Sequence, residues 1–487
     1  MNPFKYSSNN KRYHTLDYFY KEHFNSKVFK VSLNAGFTCP NIDGTVGTGG
    51  CIYCSTSGSG EYAGDVNDPL LIQFENIKTM IHKKWPTSKY IGYFQAHTNT
   101  YANVESLKAK YEPILKLNQV VGLSIATRAD AIDDGALTYL EELNKRTYLT
   151  VELGLQTIHE VTALMINRGH NLKCFDDMVA KLHQRKINIV VHIINGLPYE
   201  TKEMMIETIN HLNRLPIQGI KIHMLHILKK TKLAEIFAKN PFPILTKEQY
   251  VNIVCDQLEN LRPEIVINRI TGDPKVEDLI EPTWLIRKFG VLNDIDSELL
   301  SRNTYQGFNQ SILNQARRLI ENNTKDNDLT VDATIGNGYD TLFLSQLTPK
   351  GHVFGFDIQE VAIANTTKLL NDYHLNNYTL YLNNHQQMAE ILAAYHHKIS
   401  TIIFNLGYLP KGDKKITTTS DETITAIKAG YTLLNDKGII IIIVYPGHPA
   451  GLEESIKLKE FLTDYNHEYY YNTDNLEAPY LIQIKKS

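Results

Sequence analysis

The chain is poor in cysteine and tryptophan, with five and two among 487 residues, and it carries little net charge, −3 with histidine neutral. Five cysteines, odd in number and unevenly spread, do not suit a secreted disulfide framework. So small a net charge excludes a global field that draws in nucleic acid, so any RNA contact must rest on a local basic patch. Long apolar runs are missing too. The longest, "IIIIIV" at 439–444, falls far short of the roughly 20 residues that span a bilayer, and no membrane partner is expected. The opening "MNPFKYSSNNKRYH" has no apolar run behind its charges, so no signal peptide is expected and a cytoplasmic location is the default. No internal repeat or low-complexity tract stands out. What remains is an ordinary globular composition, 43% hydrophobic and 21% charged, in a chain long enough for two or three domains.

Six β-rich runs recur in the first half: "VFKVSL" (28–33), "YIGYF" (90–94), "VVGLSIA" (120–126), "YLTVELG" (148–154), "INIVVHI" (187–193) and "GIKIHMLHIL" (219–228). Helical segments such as "DDGALTYLEELNKR" lie between most of them. Strands alternating with helices imply βαβ units on a parallel sheet. Six such units predict a partial (β/α)6 barrel with its chemistry at the C-terminal strand ends. After "RNTYQGFNQSILNQARRLIENNTKDND" the pattern restarts. "LTVDATIGNGYDTLFLSQL" reads as strand, glycine loop and helix, followed by "GHVFGFDI" (351–358), "STIIFNL" (400–406) and "GIIIIIVYP" (438–446). This second, open α/β sheet predicts two domains, 1–304 and 305–487.

Three of the five cysteines fall in one glycine-rich loop, "GFTCPNIDGTVGTGGCIYC" at 36–54, spaced Cys39-x11-Cys51-x2-Cys54. Thiolates hold soft metals, and a C-x2-C pair places two sulfurs on one ion or cluster. Three readings stand open. A structural zinc site needs a fourth, distant ligand such as His97. Unliganded cysteines need an apolar pocket, which a loop with Gly44, Gly47, Gly49 and Gly50 does not offer. A [4Fe–4S] cluster takes three thiolates and leaves one iron open for the amino and carboxylate groups of S-adenosylmethionine (SAM).

The loop resembles that of radical SAM enzymes, and closely that of a bacterial family related to the catalytic subunit of the elongator tRNA-modifying complex, which widens the first cysteine interval in this way. The likeness continues through "GYFQAHTNTYA", "IATRAD", "VELGLQTIHE", "INRGH", "VHIINGLPYET", "GIKIHMLHILKKT" and "RITGD", over about 1 to 300. No acetyltransferase-like segment of the elongator type is present in the sequence. The resemblance implies that Cys39, Cys51 and Cys54 bind the cluster. It implies that Glu152 and Gln156 hold SAM hydroxyls or its amino group, and that Arg168 pairs with the SAM carboxylate in bidentate fashion. His192, Lys221 and His223 point at substrate phosphate or base. Cluster reduction calls for an electron donor such as flavodoxin or ferredoxin.

"VDATIGNGYDT" (331–341) is a second glycine loop between strand and helix. Asp357 ends the next strand, 21 residues after Gly336, where a carboxylate typically accepts ribose hydroxyls. Gly336 and Gly338 let backbone amides approach a ligand, with Asn337, Thr341 and Gln359 beside them. Asp332 and Asp340 are placed to take the ammonium of methionine. "FNLGYLP" (404–410) resembles the Asn-Pro-Pro-Tyr signature of amine N-methyltransferases, with Leu406 and Gly407 for the prolines and Asn405 and Tyr408 retained. His385 and His448 are candidates to contact SAM or take a proton.

The sum of these motifs over 306–487 resembles a small class I, Rossmann-like bacterial family first labelled rRNA methylases and now read as tRNA 5-aminomethyl-2-thiouridine methyltransferases. That family's Ser-His pair stands here as Asn384-His385. Taken together, the resemblances imply a bifunctional enzyme acting on the anticodon stem-loop of tRNA. Its radical half turns 5-carboxymethylaminomethyl-(2-thio)uridine at position 34 into the aminomethyl form, and its second half N-methylates that amine. Rival readings are a pair tailoring a small metabolite or peptide, a domain kept only to dock RNA, and rRNA methylation.

Overall fold

In the computed structural model the chain divides into two compact units, Met1–Phe308 and Asn309–Ser487. All residues are described except 1, 3, 56, 57, 59, 61, 407–419, 472–474 and 487, together with the side chain of residue 288.

The first unit contains β1 (Val28–Leu33), β2 (Lys89–Phe94), β3 (Val120–Thr127), β4 (Tyr148–Gln156), β5 (Asn188–Asn195), β6 (Gly219–Met224), β7 (Ile227–Leu228), β8 (Val266–Arg269) and β9 (Leu279–Glu281). Strands β1 to β6 and then β8 lie side by side in chain order, every pair parallel. Six strand spacings would put β1 and β8 roughly 28 Å apart in a flat sheet. Instead Lys30 Nζ on β1 lies 3.4 Å from Asn268 Oδ1 on β8, and Thr15 forms a parallel bridge with Ile267. The sheet is therefore rolled into a partial barrel.

Helices cover its outside. The helix Leu172–Gln184 starts at Asn171, whose side chain accepts the Cys174 amide, and buries Phe175, Met178, Val179 and Leu182 as one stripe. Two details differ from the sequence expectation. A seventh parallel strand, β8, was hidden because it has four residues and only two are buried. The run 219–228 breaks after Met224, and β7 leaves the barrel to pair antiparallel with β9.

The second unit contains β10 (Leu329–Asp332), β11 (His352–Asp357), β12 (Tyr378–Leu382), β13 (Ile399–Asn405), β14 (Leu434–Val444), β15 (His467–Tyr470) and β16 (Tyr480–Lys485). They line up as β12-β11-β10-β13-β14-β16-β15, with only β16 antiparallel to its neighbours. This is the Rossmann-like methyltransferase arrangement. Every residue of β14 from Gly438 to Val444 is buried, as a parallel strand covered on both faces requires, and that explains the isoleucine run. β12 and β15, neither expected from the sequence, are edge strands with no buried position. Strand order reverses at β10, so the crevice for a ligand opens outside the carboxyl ends of β10 and β13, at Asp332 and Asn405. Among the described residues no helix is long and apolar enough to cross a membrane.

Candidate functional site

The cysteine loop leaves the end of β1 and is stapled to the segment that follows β4. Asn41 Nδ2 donates to the Asn167 carbonyl at 2.6 Å, and Asn167 Nδ2 donates back to the Gly50 carbonyl at 2.7 Å. The Ile52 amide reaches the Ile166 carbonyl at 3.1 Å. Gly49 and Gly50 sit at φ +78° and +70°, where a side chain would be strained. No disulfide joins any of the five cysteines, and Cys39, Cys51 and Cys54 are all half-buried. The Cys51 thiol is pulled down to about 6, chiefly by its hydrogen bond with Cys54, against burial and with help from Arg128, Tyr53 and Asn41. This favours the thiolate of Cys51, the form that binds metal. Arg128, clamped to Asp130 through Nε and Nη2 and to the Arg168 carbonyl through Nη1, holds its charge near Cys51 and Cys39.

Among the described residues no group of three or more His, Cys, Asp and Glu is arranged to hold a single metal ion. A cubane is a different demand, since its three thiolates sit on three separate irons. An acidified thiol, a neighbouring guanidinium and glycines that keep the backbone close are the donor set such a cluster uses. His97, the distant ligand a zinc site would need, packs its ring over Gly58, where a Cβ would fall 2.4 Å from Nδ1.

The structure corrects two expectations in this unit. Glu152, expected to hold SAM, lies not at a C-terminal strand end, where the chemistry was expected, but in the middle of β4, inside the barrel and buried. Its Oε1 accepts Lys30 Nζ and Ser124 Oγ, both at 2.6 Å, and its Oε2 accepts His192 Nε2 at 2.8 Å and the Lys221 ammonium. Four donors fill the carboxylate, leaving none of it for SAM hydroxyls. The two lysines, with His192, hold it well below the usual range despite burial. Arg168 cannot form a bidentate pair either. Its Nε donates to the His170 carbonyl at 2.8 Å, and its Nη1 donates to the Leu155 and Thr157 carbonyls at 2.9 and 2.6 Å. Only the buried Nη2 lacks a hydrogen-bond partner, 3.7 Å from Glu160. Gln156 does end β4, at φ +68° beside a break in strand register. Backbone strain of this kind concentrates at functional sites.

Lys30 and Ser124 went unnoticed in the sequence. The available signal was a lone lysine in "VFKVSL", since a charge in mid-strand of a parallel sheet must find a partner. Around them stand Tyr93, whose hydroxyl accepts Lys221 Nζ at 2.9 Å, and His223, whose ring centroid lies 5.2 Å from that of His192.

In the second unit the glycine loop gathers three carboxylates. Asp332 is fully buried and accepts Thr341 Oγ1 at 2.6 Å and the Thr334 amide at 3.1 Å. Asp357 accepts the amides of Gly336 and Gln359, both at 2.9 Å, which leaves lone pairs for hydroxyl donors. Gly336 and Gly338 lie at φ +56° and +79°, and a Cβ on Gly338 would fall 2.4 Å from Thr366. Asn337 lies between them in the turn that opens the helix Tyr339–Leu347. Burial, then the charges of Asp340 and Asp357, push Asp332 up to about 7. Carboxylates that repel one another in a crevice suit a cation, and SAM carries an ammonium and a sulfonium.

Asn405 is locked in orientation. Its Nδ2 donates to Asp340 at 3.0 Å, its amide donates to Thr334 Oγ1 at 2.7 Å, and its Oδ1 accepts the Tyr445 hydroxyl at 3.1 Å with one lone pair left. Tyr445 was missed, and its signal was a tyrosine placed directly after β14. His385 donates from Nδ1 to the Ala333 carbonyl at 3.0 Å, while its buried Nε2 has no partner. The neighbouring Asn384 caps the following turn through the Gln386 amide. His448 proves to be a helix cap, which corrects the proton-taking one of its two expected roles, the other being contact with SAM. Its Nδ1 accepts the Gly451 amide at 3.1 Å, so the neutral ring carries its proton on Nε2 and has no lone pair left there. Tyr408 lies outside the described residues.

Comparison with known proteins agrees with this division. The Radical SAM superfamily model matches residues 42–212, the Radical_SAM C-terminal domain 217–301, and the "Putative rRNA methylase" model 353–477. The chain is 53% identical over 306 residues to the uncharacterized protein YtqA of Bacillus subtilis, covering 63% of this chain and 95% of that one. It is 26% identical over 160 residues to yeast (Saccharomyces cerevisiae) Elongator complex protein 3, covering 32% and 28%. It is 39% identical over 137 residues to the chloroplastic tRNA (mnm(5)s(2)U34)-methyltransferase of Arabidopsis thaliana, covering 26% of this chain and half of that one. The protein is an enzyme of the radical SAM superfamily, using a [4Fe–4S] cluster and SAM, with a SAM-dependent methyltransferase as its second unit.

Proposed function

We propose that the chain is a bifunctional tRNA-modifying enzyme of the wobble uridine, position 34. The first unit converts 5-carboxymethylaminomethyl-(2-thio)uridine to the 5-aminomethyl form, and the second methylates that amine to 5-methylaminomethyl-(2-thio)uridine. The observation that carries this reading is the joining of the two chemistries in one chain, the second similar to a tRNA methyltransferase of that nucleoside. A radical enzyme and an amine methyltransferase belong together when the first makes the nucleophile the second needs. Removing the carboxymethyl group takes a hydrogen atom and one further electron from the carbon between nitrogen and carboxylate, giving an imine that water splits into glyoxylate and the primary amine, with SAM, cleaved to deoxyadenosine and methionine, as the two-electron acceptor. Cluster-bound SAM supplies hydrogen-atom abstraction, which side-chain acids and bases cannot perform.

In this reading Cys39, Cys51 and Cys54 bind three irons, while Gln156 and the single free Nη2 of Arg168 serve SAM. In the second unit Asp332 and Asp340 take the SAM ammonium and Asp357 its ribose hydroxyls. The backbone at Gly336, Asn337 and Gly338 lies along the ligand, with Thr341 and Gln359 supporting the carboxylates. Asn405 Oδ1 accepts an N–H of the target amine and turns its lone pair to the methyl group. His385 Nε2 takes the released proton, and Tyr408 lines the same loop. The anticodon stem-loop is the substrate, and a flavodoxin or ferredoxin supplies the electron.

Nucleosides from cells lacking the gene are expected to lose the methylaminomethyl form and accumulate the carboxymethylaminomethyl form. A normal methylaminomethyl level with no precursor build-up would overturn the reading. SAM affinity of the second unit is expected to depend on pH. Asp332, raised from 3.8 to about 7, stabilises the apo fold fully below pH 4, and this contribution is lost as pH rises through 7. An incoming ammonium must displace its proton below pH 7, so affinity should rise about tenfold per pH unit up to 7 and then level off. Titration calorimetry of the full chain carrying Cys51→Ala, compared with the same chain also carrying Asp332→Asn, checks this, and the asparagine variant should show a flat profile.

A further inference from the structure

Two lysines share one glutamate inside the barrel, and a third cation stands at the rim. Lys30 and Lys221 both point at Glu152, and Arg269 stands at the end of β8, in register with Lys221 on β6. Arg269 is exposed, and its charge is felt by Lys221, His223 and Tyr93. It makes no hydrogen bond or ion pair among the described residues. The other arginines near the strand ends are taken. Arg128 is bound to Asp130 and the Arg168 carbonyl, and Arg168 is bound to three carbonyls. Beside Arg269, His223 holds its Nε2 shielded from solvent with no hydrogen-bond partner. A buried ring nitrogen left unpaired between a lysine and an uncommitted guanidinium is a destabilised arrangement that an anion would complete.

We propose that Arg269, His223 and Lys221 form the subsite for the substrate's carboxylate. The inference rests on the proposed function and adds to it the residues that select the substrate. The carbon under attack is bonded directly to that carboxylate carbon, so its anchor must lie close to where the chemistry occurs. The C-terminal mouth of β6 and β8 meets that condition, on the same end of the sheet as the cysteine loop and Gln156. The subsite also explains why the first unit would spare its own product, since the aminomethyl form has no carboxylate to hold.

The test compares two anticodon stem-loops, one carrying carboxymethylaminomethyluridine and the other its carboxamide, which has the same shape and the same phosphates without the charge. Kd without reductant, and KM and kcat with it, are measured on the anaerobically reconstituted full chain. The wild type should prefer the carboxylate by about 10- to 100-fold, the range for a hydrogen-bonded charge. Arg269→Gln should erase that preference through Kd and KM, and Arg269→Lys should restore part of it. Unchanged methylation of aminomethyl stem-loops in each variant certifies the chain as folded. If Arg269→Gln keeps the full preference, or weakens both stem-loops equally as a phosphate contact would, the subsite is refuted while the proposed function stands. A wild-type chain that converts neither stem-loop, yet forms deoxyadenosine, would overturn the function and the subsite together.

Discussion

Cys51→Ala is expected to reduce deoxyadenosine formation and decarboxymethylation to background while the chain still methylates aminomethyl-tRNA at the wild-type rate. Cys51 is the thiol the fold acidifies most clearly. Its hydrogen bond with Cys54, the Arg128 charge and an N–H···S contact from Asn41 at 3.8 Å all favour the thiolate. Removing a thiolate from a three-ligand site leaves two, which cannot retain a cube whose fourth iron is already open. Iron and sulfide analysis of the anaerobic protein should therefore fall with activity. Asn41→Ala makes a graded companion. It removes only the hydrogen bond to the sulfur and one strap of the loop, and a loss of about 10- to 100-fold in cluster affinity is the usual size for such a supporting contact. Should Cys51→Ala also stop methylation of a substrate that already carries the amine, the two chemistries are not divided between the units as proposed.

Glu152→Ala is expected to be among the most damaging single changes to the first unit's stability. The carboxylate balances Lys30 and Lys221 and accepts Ser124 and His192, so its loss strands one buried and one half-buried ammonium. Breaking a buried ion pair from one side costs about 3–5 kcal/mol. In a unit of this size that corresponds to a fall in Tm on the order of 10 °C, measurable by calorimetry of the intact chain. Replacing all three partners together by apolar residues, Glu152→Leu with Lys30→Met and Lys221→Met, should recover much of the loss, because the damage comes from unpaired charge and not from lost volume. The pH dependence has a defined sign. Glu152, depressed well below 4.5, contributes stability that is present above pH 4.5 and lost only at strongly acid pH. His192 is lowered from 6.5 to about 4, chiefly by burial, so its contribution is full above pH 6.5 and fades as pH falls to 4. Acid destabilisation of the wild type should thus begin near pH 6.5, with His192 one of several histidines, His170 and His223 among them, that burial holds neutral.

How far the site was legible depends on the range of the interactions involved. The Asp332, Gly336, Gly338 and Asp357 pattern could be read from spacing because a strand, a tight turn and a helix fix those residues within one βαβ unit. Glu152 was misplaced because "VELGLQ" does not state where β4 ends, and two more residues of strand moved it from the rim to the interior. Arg168 lost its expected carboxylate partner to three carbonyls that spacing cannot foresee. His448 reads in sequence as a reactive loop histidine, but "HPAG" is also a helix start, and the cap took its lone pair.

By itself the sequence determined the alternation of strands and helices, the two glycine loops and the trio of thiols, because each is a local matter of φ angles, periodicity and ligand spacing. Only the tertiary structure decided which charges are bound and which remain open. Rolling the sheet brings Lys30 to Asn268, 238 residues away, and places Lys30, Glu152 and Lys221 in one dry interior where each must find a counter-charge. In that interior the cost of an unpaired charge, which depends on burial and not on sequence neighbours, set Glu152 to structure, while Arg269 at the exposed end of β8 and the buried Nε2 of His223 were left unengaged.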